Sequence, residues 1–239
     1  ANFLMGTAHP VVDATQADGA FYSPRQVGSG LVDAVGATTS PVYPSVVGAA
    51  DSSRPKADLG DGTNGWSFQV QLTNVSDAAH TYTLGGQALS EDVQSMLFTG
   101  HSTNWAGKGI DLTFSSESVT VPAKSSATVT VTVTPRSAFA SYANANAPKG
   151  TFIDGAVTFT STDGAPNLTV PYMGFYGSWG APAVFDGKWY DGTTSTAHAC
   201  SSTLINPSTE VPLGALNPLS GQEIDDVRAV DPAYFIMSR

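Results

Sequence analysis

Between about residues 38 and 178, apolar and polar positions alternate along the chain. In residues 65–74, Trp66, Phe68, Val70 and Leu72 are separated by Ser67, Gln69 and Gln71, the period of a strand with one buried and one wetted face. The rule returns at Tyr82 and Leu84, and again at Ile110, Leu112 and Phe114. It is clearest over residues 117–135, where Val119 and Val121 end one strand, a polar turn follows, and Val129, Val131 and Val133 line the next. Pro122 and Pro135 stand at strand ends, where a missing N–H does least damage to a ladder. Two more strands are expected, one with Val157 and Phe159 inward and one with Leu168 and Val170 inward; the intervening Thr-Asp-Gly-Ala-Pro-Asn is turn chemistry. About six or seven short strands with turns between them predict a mainly β fold, an antiparallel sandwich. The Ala-rich stretch within 135–150 reads as a short helix or an ordered crossing between the sheets.

The ends of the chain follow other patterns. In residues 1–37, Phe3, Leu4 and Met5 fit one or two helical turns, and Leu31, Val32 and Val35 a second short helix. Gly28 and Gly30 stand just before that second helix, where a close backbone approach would need glycine. A stretch this short cannot bury a core of its own. From 179 to 239 the alternation dissolves: Trp179, Trp189 and Tyr190 lie among Gly, Pro and Asp, as in a linker or the start of a further module.

Composition supports the β reading and narrows the chemistry. Hydrophobic residues make up 41% of the 239 and charged residues only 13%, with Val and Thr, both strand-favouring, prominent. The formal charge is −10. No basic stripe offers itself to phosphates, which argues against nucleic acid as a partner, and the same sign opposes anionic membrane surfaces. No run is long enough for a membrane-spanning helix. The single cysteine, Cys200, rules out an internal disulfide or a thiolate cluster.

Nothing in the sequence spells out catalysis, a metal or a cofactor. His9, His80, His101 and His198 fall in no metal-ligand or nucleophile spacing. Asp58, Asp61 and Asn64 lie on a glycine-rich loop of the kind calcium uses, without the EF-hand spacing, and read as a turn. Asp225, Asp226 and Asp231 read the same way. Asn74 and Asn167 head glycosylation triplets that carry little weight in Thr- and Ser-rich strands. The aromatic group Phe175, Tyr176, Trp179, Phe185, Trp189 and Tyr190 has two readings. Such rings anchor contacts between domains, or they form a sugar-stacking platform. Of these, Phe175, Tyr176, Trp179, Trp189 and Tyr190 are the candidates for interdomain contact.

Leu4, Met5, Thr7 and Ala8, followed by the ordered run Ser23-Pro24-Arg25-Gln26 with Gly28, Gly30, Val32, Asp33 and Ala34, resemble the end of the catalytic domain in cell-envelope subtilisin-like serine proteases. Leu4-Met5-x-Thr7-Ala8 is similar to the family's element after the nucleophile helix. Ser23-Pro24-Arg25-Gln26-x-Gly28-x-Gly30-x-Val32-Asp33-Ala34 is similar to its last piece before the accessory domains. Val170-Pro171-Tyr172-x-Gly174-Phe175-x-Gly177 resembles the closing strand of the fibronectin type III-like domain that follows there, and Tyr190-Asp191 a pair found soon after it. The family's nucleophile motif, Gly-Thr-Ser-Met-Ala-x-Pro, is not present; Gly6-Thr7-Ala8 mimics its start with alanine in the serine position.

The resemblance implies a domain plan: 1–37 as the tail of a subtilisin-like domain, 38–178 as a fibronectin III/Ig-like β-sandwich, and 179–239 as a linker or next module. It implies a non-catalytic accessory module of a secreted or cell-wall serine endopeptidase. Its partners would be the protease domain, neighbouring modules and, through the parent, protein substrates. A carbohydrate-binding or adhesive sandwich is the alternative.

Overall fold

The computed structural model describes residues 1–94 and 97–180, together with the backbone at 204–205 and 236–237. It divides into two compact units, Ala1–Trp179 and Gly180–Arg239. In the second, Leu204–Ile205 pairs antiparallel with Ile236–Met237. The first is a two-sheet sandwich, mainly β as expected, with three short helices at its start.

One sheet has four strands in the order β1 (Val42–Val46), β3 (Trp66–Asn74), β8 (Ser126–Pro135), β6 (Ile110–Phe114). The other runs β2 (Ala57–Gly62), β10 (Leu168–Tyr176), β9 (Thr151–Ser161), β4 (His80–Gln94), β5 (Leu97–Asn104), and β7 (Ser118–Val121) also pairs with β4. All pairings are antiparallel except β2 with β10, which is parallel. The alternating residues meet between the sheets. Val70, Leu72, Val131 and Val133 from one face Tyr82, Val157, Phe159, Leu168 and Val170 from the other, all completely buried. Each such aliphatic or aromatic side chain contributes about 1.5–3 kcal/mol on burial. The Ala-rich stretch is a helix, α4 (Ser137–Asn146), which buries Phe139 and Ala143, one turn apart. Phe139 meets the edges of Trp105 and Tyr176 at 5.4 and 5.2 Å.

Three strands escape the sequence pattern. β1 holds Pro44, tolerated because β1 is an edge strand. β2, Ala-Asp-Leu-Gly-Asp-Gly, has turn composition and is held as a strand by β10, more than a hundred residues later in the chain. β5 is short of alternating apolar residues and lies at the other edge. β4 runs on to Gln94, well past the expected Leu84, through Gly85 and Gly86.

The first 37 residues hold α1 (Asn2–Gly6), α2 (Pro24–Val27) and the start of α3 (Ala34–Thr39). The helix expected from Leu31, Val32 and Val35 is displaced: Leu31 and Val32 lie outside α3. Gly30 has φ +106°, and a Cβ there would stand 2.0 Å from the His9 carbonyl oxygen. Leu31 is thereby held extended, exchanging backbone hydrogen bonds with His9 at 2.8 and 2.9 Å. The helix starts only where the Asp33 carboxylate accepts from Gly36 N at 2.7 Å.

A buried polar joint and an exposed apolar face

Within the first 37 residues, α1 packs against β1, and the stretch from Pro10 to Gly30 lies on the outer face of the β4–β9–β10 sheet. An outward residue of a half-buried strand should be wet, yet in β9 every residue from Ile153 to Val157 is buried. Asp154 and Ala156, on the face away from the sandwich core, are covered by residues 1–37. Exposure returns at Thr160, beyond that cover.

A polar joint fastens the two parts. Asp154 has no solvent exposure, and its Oδ2 accepts from Arg25 Nε at 2.7 Å and from Ser23 Oγ at 2.5 Å. Arg25 Nη1 also donates to Glu91 Oε1 on β4 at 2.8 Å, and its guanidinium lies 4.4 Å from the centre of the Phe152 ring. Burial pushes the Asp154 carboxyl above its ordinary value, while Arg25 and Ser23 pull the other way. The planar fork of arginine suits a site that must satisfy two carboxylates and a ring face together. Nearby, Gln87 clamps the loop before the motif: its Oε1 accepts from Phe21 N and its Nε2 donates to Gly19 O, both at 2.9 Å.

A second fastening joins buried Asp13 to β5. Asp13 Oδ1 accepts from Thr15 N and Oγ1 at 2.9 and 2.6 Å, and Oδ2 lies 2.7 Å from His101 Nδ1. The Thr15 hydroxyl first, and then His101, outweigh burial and hold the Asp13 carboxyl down at about 2. Tyr22 also faces it, its phenol pushed up by the Asp13 charge. A carboxylate lowered in the folded state stabilises above its unfolded value and stops doing so as pH falls through the folded one. Acid titration of the chain should therefore show a loss of stability between about pH 4 and pH 2 that Asp13→Asn lacks. Superimposable acid profiles for the two proteins would refute the assignment.

Of the five aromatic candidates, Trp189 and Tyr190 lie outside the described residues. Phe175 is buried, and the Tyr176 ring packs edge-on against Phe139. Trp179 is 60% exposed, with one face stacked on Phe175 at 4.2 Å and 14°. These three do not form a row of open ring faces of the kind a sugar platform requires. More exposed apolar side chains lie elsewhere, within residues 1–37: Leu4, Val12, Leu31 (68% exposed), Val32 (60%) and Val35 (73%). The expectation of a second short helix from Leu31, Val32 and Val35 says nothing of which side they present, so this exposure was not foreseen.

One cluster has the outline of a hydrolytic triad. Ser76 Oγ lies 3.1 Å from His80 Nε2, and His80 Nδ1 lies 3.0 Å from Asp163 Oδ2. The proton inventory argues against a nucleophile. Asn74 Nδ2 donates to three carbonyl oxygens, those of Ala78, Val121 and Pro122, which fixes its Oδ1 as an acceptor. That oxygen takes Ser76 N and Ser76 Oγ, each at 2.8 Å. The one hydroxyl proton of Ser76 is thus better placed toward Asn74 than toward the imidazole. Asn74 itself is buried, so its glycosylation triplet is inaccessible in the fold. Asp58 and Asp61 are already engaged, by Lys56 and by Trp179 N. Among the described residues no group of three or more His, Cys, Asp or Glu side chains could hold a metal ion. Nor, among them, is any helix long and apolar enough to cross a membrane.

Comparison with known proteins places this architecture. The Fn3-like domain family model matches residues 58–173. The PI-type proteinase of Lactococcus lactis subsp. cremoris is 28% identical over 187 residues, 76% of this chain and 9% of that protein. The C5a peptidase of Streptococcus pyogenes serotype M1 is 28% identical over 196 residues, 82% of this chain and 16% of that protein. The chain thus spans less than a fifth of the length of these relatives. Among solved structures, the ASH / PapD-like domain of human CEP192 aligns with a TM-score of 0.36 at 10% identity, over 59% of this chain and 86% of that one. Residues 58–173 are an Fn3-like domain, carried on a chain that matches a segment of the lactocepin-type and C5a peptidase cell-envelope subtilases.

Proposed function

We propose that the chain is a non-catalytic accessory module of a secreted, cell-envelope subtilisin-like endopeptidase. It packs on the catalytic domain, stabilises it and bears on the access of protein substrates. The carrying observation is the double character of residues 1–37. Arg25 and Ser23 fasten the segment to the sandwich at Asp154, while its Leu4, Val12, Leu31, Val32 and Val35 are exposed to solvent. Exposed apolar side chains gathered on one segment mark a surface that another body covers. The resemblance of the same residues to the end of a subtilisin-like domain supports reading that body as the rest of the catalytic domain. Trp179 offers a further contact for a neighbouring module. An extracellular or cell-wall location follows from the same reading.

The test substitutes Leu31→Asp together with Val35→Asp. In the isolated chain these positions face water, and stability should change by about 0.5 kcal/mol or less. In the longer proteinase that carries the chain they would bury unpaired carboxylates, and the catalytic part should lose several kcal/mol along with its casein-hydrolysing activity. Small effects in both settings would refute docking through this face.

A further inference from the structure

Trp179, the last residue of the first unit, is mostly exposed, so burial does little to fix its ring. Among the described residues, three contacts hold it. Its indole stacks on Phe175 at 4.2 Å, the Phe152 ring meets it edge-on at 5.5 Å, and its backbone N–H donates to Asp61 Oδ2 at 2.8 Å. Phe152 meets Phe175 edge-on as well, at 5.4 Å and 72°. Phe152 is also the ring under the Arg25 guanidinium, 4.4 Å away. Arg25 in turn is the residue that ties the first 37 residues to Asp154 and Glu91. The Phe152 ring therefore touches both the fastening of the leading segment and the last residue of the unit, and neither ring partner of Trp179 belongs to residues 1–37.

We propose that the seating of residues 1–37 on the sandwich and the conformation of Trp179 are energetically coupled through Arg25 and Phe152. When the segment lifts, Arg25 leaves the Phe152 face, the ring is free to turn, and the edge contact that steadies Trp179 is lost. When the segment is seated, the guanidinium fixes the ring and the ring fixes the indole. The coupling is a property of the first unit alone and does not depend on what its apolar face docks against.

Coupling between two sites is reciprocal, which gives the test two arms. Amide hydrogen exchange of the full chain reads both ends, through Phe21 N and Leu31 N, which are bonded to Gln87 and His9, and through Trp179 N, which is bonded to Asp61. Trp179→Ala should speed exchange at Phe21 and Leu31 by about fivefold or more, the lower end of ordinary coupling energies. Arg25→Met should speed exchange at Trp179 by a similar factor. Phe152→Leu, which leaves both ion pairs intact, should loosen both ends, and adding Trp179→Ala to it should change Phe21 and Leu31 no further. Unchanged Phe21 and Leu31 exchange in a folded Trp179→Ala chain would overturn the coupling. So would an additive effect of Trp179→Ala in the Phe152→Leu background.

Discussion

Arg25→Ala is expected to be the most damaging single change on the surface of this fold, costing about 3–5 kcal/mol. The carboxylate it leaves behind explains the size. Asp154 has no solvent exposure, whereas the Arg25 side chain is 23% exposed, so removing the arginine strands a buried charge with the Ser23 hydroxyl as its remaining donor. For a chain of this length the melting temperature should fall by roughly 6–20 °C. Arg25→Lys keeps a charge but not the planar fork, and should fall between wild type and alanine. The decisive variant is the double one, Arg25→Ala with Asp154→Ala. If the cost is that of an uncompensated buried carboxylate, removing the carboxylate as well returns a large part of it, because deleting both partners of such a pair is far milder than deleting one. Thermal melts of the four proteins complete the cycle, and a double variant as unstable as the sum of the two singles would show that the pair is not coupled.

The second large effect is expected at Gly155, in the middle of β9. This residue has φ +151°, and a Cβ built on it would lie 2.0 Å from the carbonyl oxygen of Gln87 across the β4–β9 ladder. That same oxygen accepts the Tyr172 hydroxyl at 2.9 Å, so moving it aside disturbs a buried tyrosine too. Gly155→Ala should therefore cost more than about 3 kcal/mol, beyond the 1–3 kcal/mol of backbone strain alone. Gly164, in the turn before β10, provides the comparison. It also has positive φ, +85°, but nothing lies within 4 Å of its missing Cβ, and alanine there should cost only about 1–2 kcal/mol. Denaturant midpoints for the two variants separate backbone conformation from cross-strand space. Equal losses would mean that conformation, not space, sets the requirement at Gly155.

Much of the sandwich is legible from local rules, because its strands are wet on one face and dry on the other. Alternation places Val129, Val131 and Val133, Val157 and Phe159, and Leu168 and Val170 inward, and all are buried. The joint was legible only in part. Ser23 and Arg25 stood out within a resembling motif, but nothing local to them names an acceptor. Asp154 lies 129 residues beyond Arg25, and its one local signal is a carboxylate between Ile153 and Gly155 in a strand-like stretch, which alternation alone places in water. Glu91 sits on a part of β4, beyond two glycines and beyond the last pairing with β9, that is held by pairing with β5.

Residue order alone is enough to specify a mainly β sandwich, the residues that fill its core, and the family that its leading and closing motifs resemble. These follow from short-range periodicity and ordered residue types, which do not need the chain to be folded to be read. Three further features arise only on folding. Folding makes β2 a strand, by parallel pairing with β10. It turns Leu31, Val32 and Val35 outward, by holding Leu31 against His9. It buries Asp154 beneath Arg25, by laying the stretch from Pro10 to Gly30 over a face that a lone sheet would leave wet. Each depends on residues far apart in the chain meeting in space, and the free energy of those meetings is a property of the packed fold rather than of any local stretch.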